Sequence, residues 1–139
     1  MILLSEFVDL NTATGTMRTY VHRPKSESKF PAILFYSEIF QQTGPIERAA
    51  KILASHGFVV LVPEVFHELN EIGTVLNYDD AGRDKGNADK DMMYEAFLKE
   101  TKIDLKKIFD TDKVGNPISD IVDSYYIAKV GYKNSIKGD

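Results

Sequence analysis

Pro31-Ala32-Ile33-Leu34-Phe35-Tyr36 and, one helix length later, Phe58-Val59-Val60-Leu61-Val62 are two unbroken apolar runs, the second stopped by Pro63. An apolar run without alternation fits a strand covered on both faces, as in a parallel sheet. Between them, Ile46, Ala49, Ala50 and Leu53 recur at i, i+3, i+4 and i+7, which puts one apolar face on a helix. Pro45 suits the first helical turn, Thr43 is the candidate cap, and Glu47 sits near the positive helix end. Gly57 can close the helix in a left-handed conformation. Strand, loop, helix and strand in this order make a βαβ unit with parallel strands. The expected fold class is therefore α/β, built on a parallel sheet. In such sheets sites form outside the carboxyl ends of the strands. Two segments occupy those ends, Ser37 to Phe40 and Pro63 to His67.

Working outward, Thr16 to His22 is rich in β-branched and aromatic residues and reads as a further strand. Lys25 to Lys29 is a polar connection. Leu69 to Asp91 is polar and carries Gly73, Gly82 and Gly86, so it reads as a long binding loop or lid. Asp91 to Lys107 has helical composition, with an interruption near Thr101. Gly115-Asn116-Pro117 is a breaker. Ile118 to Val130 fits a helix or a strand, and Gly131 to Asp139 reads as a frayed polar tail.

Composition narrows the function classes. With 139 residues, 43% hydrophobic and 27% charged, the chain has the size and balance of one globular domain. The formal net charge of -4 argues against nucleic acid as a partner, because phosphate binding needs concentrated Lys and Arg. The absence of cysteine excludes a disulfide, a thiolate metal site and a Cys nucleophile in this chain. No apolar run approaches bilayer length. The apolar Met1 to Leu4 is followed at once by Glu6 and Asp9, unlike a signal peptide. The expected location is cytoplasmic, with no membrane partner.

Several residues are candidates for chemistry. Glu38 follows a buried strand and is flanked by Ile39 and Phe40. One reading is a carboxylate in a partly apolar cleft with a tuned pKa; the other is a solvated loop residue or a cap for the following helix. Of the histidines, His22 and His56 read as structural. His67 lies beside Glu64 and Glu68, and is either a polar cleft wall or, with Glu64, an incomplete metal ligand set. Arg83, Lys85 and Lys90 could attract an anion, but Asp79, Asp80, Asp84 and Asp89 surround them, which favours a solvated mixed-charge segment. There is no Gly-x-x-x-x-Gly-Lys-Ser/Thr and no Gly-x-Gly-x-x-Gly, so nucleotide binding has no support. No serine stands in Gly-x-Ser-x-Gly, and the glycines around Ser135 (Gly131 and Gly138) have the wrong spacing.

Met17 to Pro24, Phe30 to Phe40, Ile46 to Pro63 and Gly73-Thr74-Val75-Leu76-Asn77-Tyr78 together resemble the dienelactone hydrolase family. Glu38-Ile39-Phe40 after a buried strand is the most specific part. The resemblance covers roughly residues 8 to 90. It implies an α/β-hydrolase fold and nucleophilic cleavage of a small ester or lactone through an acyl-enzyme, with no cofactor. It implies that Glu38 contacts and tunes the nucleophile, that the Ile39 backbone N–H donates to the oxyanion, and that Arg83 is a candidate for the substrate carboxylate. Asp112 to Asp139 looks unlike the family, so the expected domain is a single partial one over 1–139 with a divergent tail over 112–139. The expected fold is truncated, lacking the C-terminal strands and helices along with the nucleophile elbow, the later Asp and the late His. The chain is then expected to be inactive alone. The alternative is a non-catalytic interaction or oligomerisation module, self-associating through an exposed sheet edge.

Overall fold

The computed structural model describes residues 1–112 and 115–137. Strands β1 (Leu3–Thr12) and β2 (Gly15–Pro24) form an antiparallel hairpin in which Thr12 faces Gly15. Its turn needs Gly15, whose φ is 124°, and the Thr12 hydroxyl donates to the Gly15 carbonyl at 2.6 Å. Strand β3 (Ala32–Leu34) leads into helix α1 (Gly44–Ser55) and strand β4 (Val59–Pro63). The sheet order is β1-β2-β4-β3, with β3 and β4 parallel and the other two pairs antiparallel. The expected βαβ unit is present, but it is the parallel end of a mixed sheet. β1, which the sequence reading left unassigned, doubles the antiparallel part.

Helix α1 covers this sheet with the face its periodicity marks. Ile46, Ala50 and Ala54 are buried against Val60 and Val62, with Leu3, Tyr20, Phe35, Leu53 and Phe58 packed around them. The helix closes at Gly57, whose φ is 90°. Thr43 stands at the cap position without a side-chain cap bond. Its hydroxyl is bonded to the Tyr78 hydroxyl at 2.7 Å instead.

Two expectations about β3 are corrected. Regular strand covers three residues, not six, and Leu34 is 43% exposed rather than covered on both faces. The reason is position: β3 is the edge strand, so its apolar residues have a neighbour strand on one side only among the described residues.

The long polar loop is also corrected. Helix α2 runs Asp80–Thr101 and takes up the second half of that loop. Asp79 caps it, accepting from the Gly82 N–H at 2.7 Å. Gly82 and Gly86 had suggested turns, yet both are helical and buried, and what they provide is close approach. A Cβ on Gly82 would stand 1.9 Å from the Asn77 carbonyl oxygen, and one on Gly86 would stand 2.8 Å from that of Ile39. The expected break near Thr101 is a left-handed Lys102, φ 62°, followed by the short helix α3 (Leu105–Ile108). Helix α4 spans Ile118–Lys137, so helix replaces the tail expected from Gly131; residues 138–139 lie outside the described residues. Helices α2, α3 and α4 form a second core with Val65 and Phe66, centred on Met93, Tyr94, Phe97, Leu105, Ile118 and Val122.

Candidate functional site

The loop that follows β3 is held from three sides. The Gln41 N–H donates to the Glu38 carbonyl at 3.1 Å, and the Thr43 N–H to the Gln41 carbonyl at 2.9 Å, a tight double turn. Gln41 is 2% exposed and has a φ of 70°, a left-handed conformation unusual outside glycine. Its side-chain Oε1 is buried without a partner among the described residues. From the second side, the Leu76 N–H donates to the Phe40 carbonyl at 3.1 Å, and Tyr78 packs on Phe40 with ring centroids 4.7 Å apart. The Tyr78 hydroxyl donates to Glu38 Oε2 at 3.2 Å and meets Thr43 Oγ1. From the third side, Gly86 of α2 packs directly on Ile39.

Glu38 and Ile39 open onto a cleft of about 410 Å³ between this loop, α2 and the start of α4. Its apolar walls include Phe66, Met93, Tyr94 and Val122, and its polar walls include Ser37, Ser119, Lys90 and Lys106. Glu38, Asp91, Asp120 and Asp123 also line it. Asp123 is 8% exposed, and burial, reinforced by Asp120, pushes its carboxyl up to about 7. Asp123 also lines a second cavity of about 470 Å³, beside His67 and Tyr126.

The structure thus brings Glu38 and Ile39 together with α2 and α4 and leaves Arg83 elsewhere. Arg83 lies in the first turn of α2, is 58% exposed on its side chain, and pairs with Asp80 at 3.2 Å and Asp84 at 3.8 Å. It is not among the residues lining the Glu38 cleft. That matches the mixed-charge reading.

The residues after β4 serve the scaffold. Glu64 is buried, accepts from the Tyr20 hydroxyl at 3.1 Å and from the Gly73 N–H at 3.1 Å, and has its carboxyl raised by burial. His67 Nε2 lies 3.1 Å from Thr14 Oγ1 and 3.3 Å from Thr12 Oγ1, and burial lowers its pKa. Glu64 and His67 therefore hold different neighbours and do not converge on a metal position. The described residues hold no cluster of three or more His, Asp or Glu suited to a metal ion.

Sequence reasoning missed one further arrangement. Ser5 Oγ lies 2.9 Å from His22 Nδ1, and the Gln42 amide nitrogen lies 3.2 Å from His22 Nε2. His22 is buried, and burial lowers its pKa. This hydroxyl–imidazole–amide chain runs from β1 through β2 to Gln42 in the loop before α1, and its residues do not line the Glu38 cleft. Ser5 and His22 face each other only through strand register, which no local motif reveals.

A βαβ unit within a mixed sheet, with a cleft beyond the carboxyl end of β3, is the organisation of an α/β-hydrolase fold. The model of the Dienelactone hydrolase family matches residues 17–132, and the chain belongs to that family. It is 42% identical over 93 residues to a Saccharomyces cerevisiae protein described as "Putative carboxymethylenebutenolidase", a match covering 63% of this chain and 33% of the relative. Among solved structures, m3DLH superposes with a TM-score of 0.54 at 15% identity, over 70% of this chain and 38% of the other. A "Putative Dienelactone Hydrolase" from Klebsiella pneumoniae subsp. pneumoniae gives 0.47 at 21% identity, over 50% and 30% of the two chains. The matches span about a third of the length of these relatives. No helix among the described residues is long and apolar enough to cross a membrane.

Proposed function

We propose that this chain carries the Glu38 wall and the Ile39 oxyanion donor of a dienelactone-hydrolase-type site for small carboxylic esters or lactones, and does not hydrolyse them by itself. One observation carries the reading. The Glu38 cleft holds hydroxyls, at Ser37, Ser119 and Thr111, but among the described residues no imidazole lines it to take up a hydroxyl proton. The sequence has no cysteine and no nucleophile elbow to supply an activated alternative. Glu38, held by Tyr78, would tune a nucleophile presented to the cleft, and the Ile39 N–H would stabilise the negative oxygen.

The test is hydrolysis of an activated acetate ester by purified chain beside Glu38→Ala. Rates equal to the buffer blank for both are expected. Turnover by wild type that drops in Glu38→Ala would overturn the inactive reading, and Ser37 and Ser119 would be the first hydroxyls to replace.

A second reading draws on the sheet edge. β3 has an unpaired side among the described residues, and its Leu34 is exposed. Both features favour pairing with another chain, including a second copy. Concentration-dependent hydrodynamic size supports this reading; a monomer across the accessible range rejects it.

A further inference from the structure

His22 is a buried titratable group that does not line the Glu38 cleft. It is 2% exposed and sits between two side chains, with Ser5 Oγ 2.9 Å from Nδ1 and the Gln42 amide 3.2 Å from Nε2. Ser5 itself is exposed on β1. A hydroxyl that solvent reaches is therefore bonded to an imidazole that solvent does not reach, and a third group holds the far ring nitrogen. Hydroxyl, base and orienting group, in that order, are the parts of an activated nucleophile.

The backbone supplies a further part. The Lys25 N–H donates to the Ile2 carbonyl, and the register pairs Leu3 with Pro24 and Ser5 with His22. Hydrogen-bonded pairs therefore fall on the even residues of β1, and Ser5 with His22 is a non-hydrogen-bonded pair. At such a pair the side chains lie closer together and the N–H points away from the partner strand. The Ser5 N–H thus lies on the outer edge of β1, where no strand pairs with it among the described residues. A backbone N–H beside an attacking oxygen is the kind of donor that stabilises a tetrahedral oxyanion.

Gln42 decides the direction of the Ser5–His22 bond. With its amide nitrogen toward Nε2, the ring proton stands on Nδ1, and Gln42 Oε1 is buried without a partner among the described residues. With the amide turned end for end, that oxygen accepts the Nε2–H, and Nδ1 is free to accept from the Ser5 hydroxyl. Burial lowers the His22 pKa, which favours the neutral ring that this needs. Glu47 and Lys51 of α1, the charged groups that act on His22, are paired with each other at 2.6 Å.

We propose that Ser5, His22 and Gln42 form a reactive site apart from the Glu38 cleft, in which the Ser5 hydroxyl takes an acyl group from an activated carboxylic ester. A bond forms between Ser5 Oγ and the carbonyl carbon, and the bond from that carbon to the leaving oxygen breaks. The Ser5 proton passes to His22 Nδ1 and from there to the departing oxygen. The products are an acyl-serine and the free alcohol or phenol. Gln42 acts through His22 and is a positioning residue. This site does not depend on whether the Glu38 cleft binds esters.

The experiment incubates the full chain with p-nitrophenyl acetate and locates the acetyl groups by peptide mass spectrometry. The exposed Ser26 and Ser28, in the connection after β2, are the reference within the same molecules. Ser5 is expected to acetylate about 100-fold faster than either, the lower range for a positioned general base. His22→Gln removes the base and is expected to bring Ser5 down to the reference rate. Nitrogen-15 NMR of the wild type is expected to show the His22 proton on Nε2. If His22→Gln fails to fold, Gln42→Leu, in the loop before α1, should still slow Ser5 acetylation severalfold. Acetylation of Ser5 no faster than of Ser26 and Ser28, an unchanged rate in a folded His22→Gln, an unchanged rate in Gln42→Leu, or a His22 proton on Nδ1 would each overturn the proposal.

Discussion

At the scale of single residues, two groups set what the cleft can do. Tyr78 positions Glu38: its hydroxyl donates to the carboxylate and is bonded to Thr43, while its ring lies on Phe40. Tyr78→Phe keeps the ring contact and removes both bonds. It should cost about 1 kcal/mol in urea unfolding and broaden the amide signals of the Glu38 loop. Asp123 makes a prediction through pH. Its folded-state pKa, pushed up to about 7, stands above the ordinary value of 3.8 that applies in the unfolded chain. Well below the ordinary value both states are protonated and there is no penalty. As pH rises towards 7 the unfolded chain ionises first, so stability falls, and above 7 the loss is constant. Asp123→Asn should therefore gain stability relative to wild type between pH 4 and 7, by on the order of 2–4 kcal/mol, and hold that gain above pH 7. Unfolding free energies measured at pH 4, 5.5 and 7.5 check the slope; a pH-independent difference would count against a raised Asp123 pKa in the folded chain.

At the scale of elements, α2 is the piece that turns a sheet edge into a cleft. It can lie against the Glu38 loop because position 86 has no side chain. Alanine is ordinarily the better helix former by about 1 kcal/mol. Gly86→Ala should nevertheless destabilise the protein, because the added methyl meets the Ile39 backbone oxygen at 2.8 Å and the Ile39 Cβ at 2.9 Å. A net loss of about 1–3 kcal/mol is expected, with the largest chemical-shift changes at Glu38 to Gln41. An increase in melting temperature would show that α2 can retreat without cost. The same two glycines explain why the segment from Leu69 reads as a loop. A sequence gives glycine as a breaker, and only the approach of Asn77 and Ile39 shows that these two permit contact within a helix.

At the scale of the whole molecule, the hairpin β1–β2 and the βαβ unit share β2–β4 pairing, and the two cores lie on either side of the strand end that leads from Val62 to Val65. The α1 core stands on the Ile46, Ala50, Ala54 face. The second core rests on residues from α2, α3 and α4, far apart in sequence. Removal of a second-core side chain should therefore affect the cleft as well as stability. Phe97→Ala is expected to cost about 3–5 kcal/mol and to loosen α2 against α4. Hydrogen exchange would then rise in those helices before it rises in β2 and β4.

The sequence by itself determined the βαβ unit, the buried face of α1, the Gly57 stop, the breaks near Thr101 and Pro117, and the resemblance carried by Glu38-Ile39-Phe40. Each is a local signal: an unbroken apolar run, a helical period, a residue with special backbone freedom. Only the tertiary structure decided the rest. It made β3 an edge strand because its neighbours are set by sheet order. It kept Gly82 and Gly86 inside α2, where the approach of Asn77 and Ile39 leaves no room for a Cβ. It placed Ser5 on His22 through strand register. It placed Asp123 in the wall of the cleft that Glu38 also lines, through the packing of α4 against α2. These are contacts between residues distant in the chain, and no periodicity or motif along the chain encodes which distant group will be brought close.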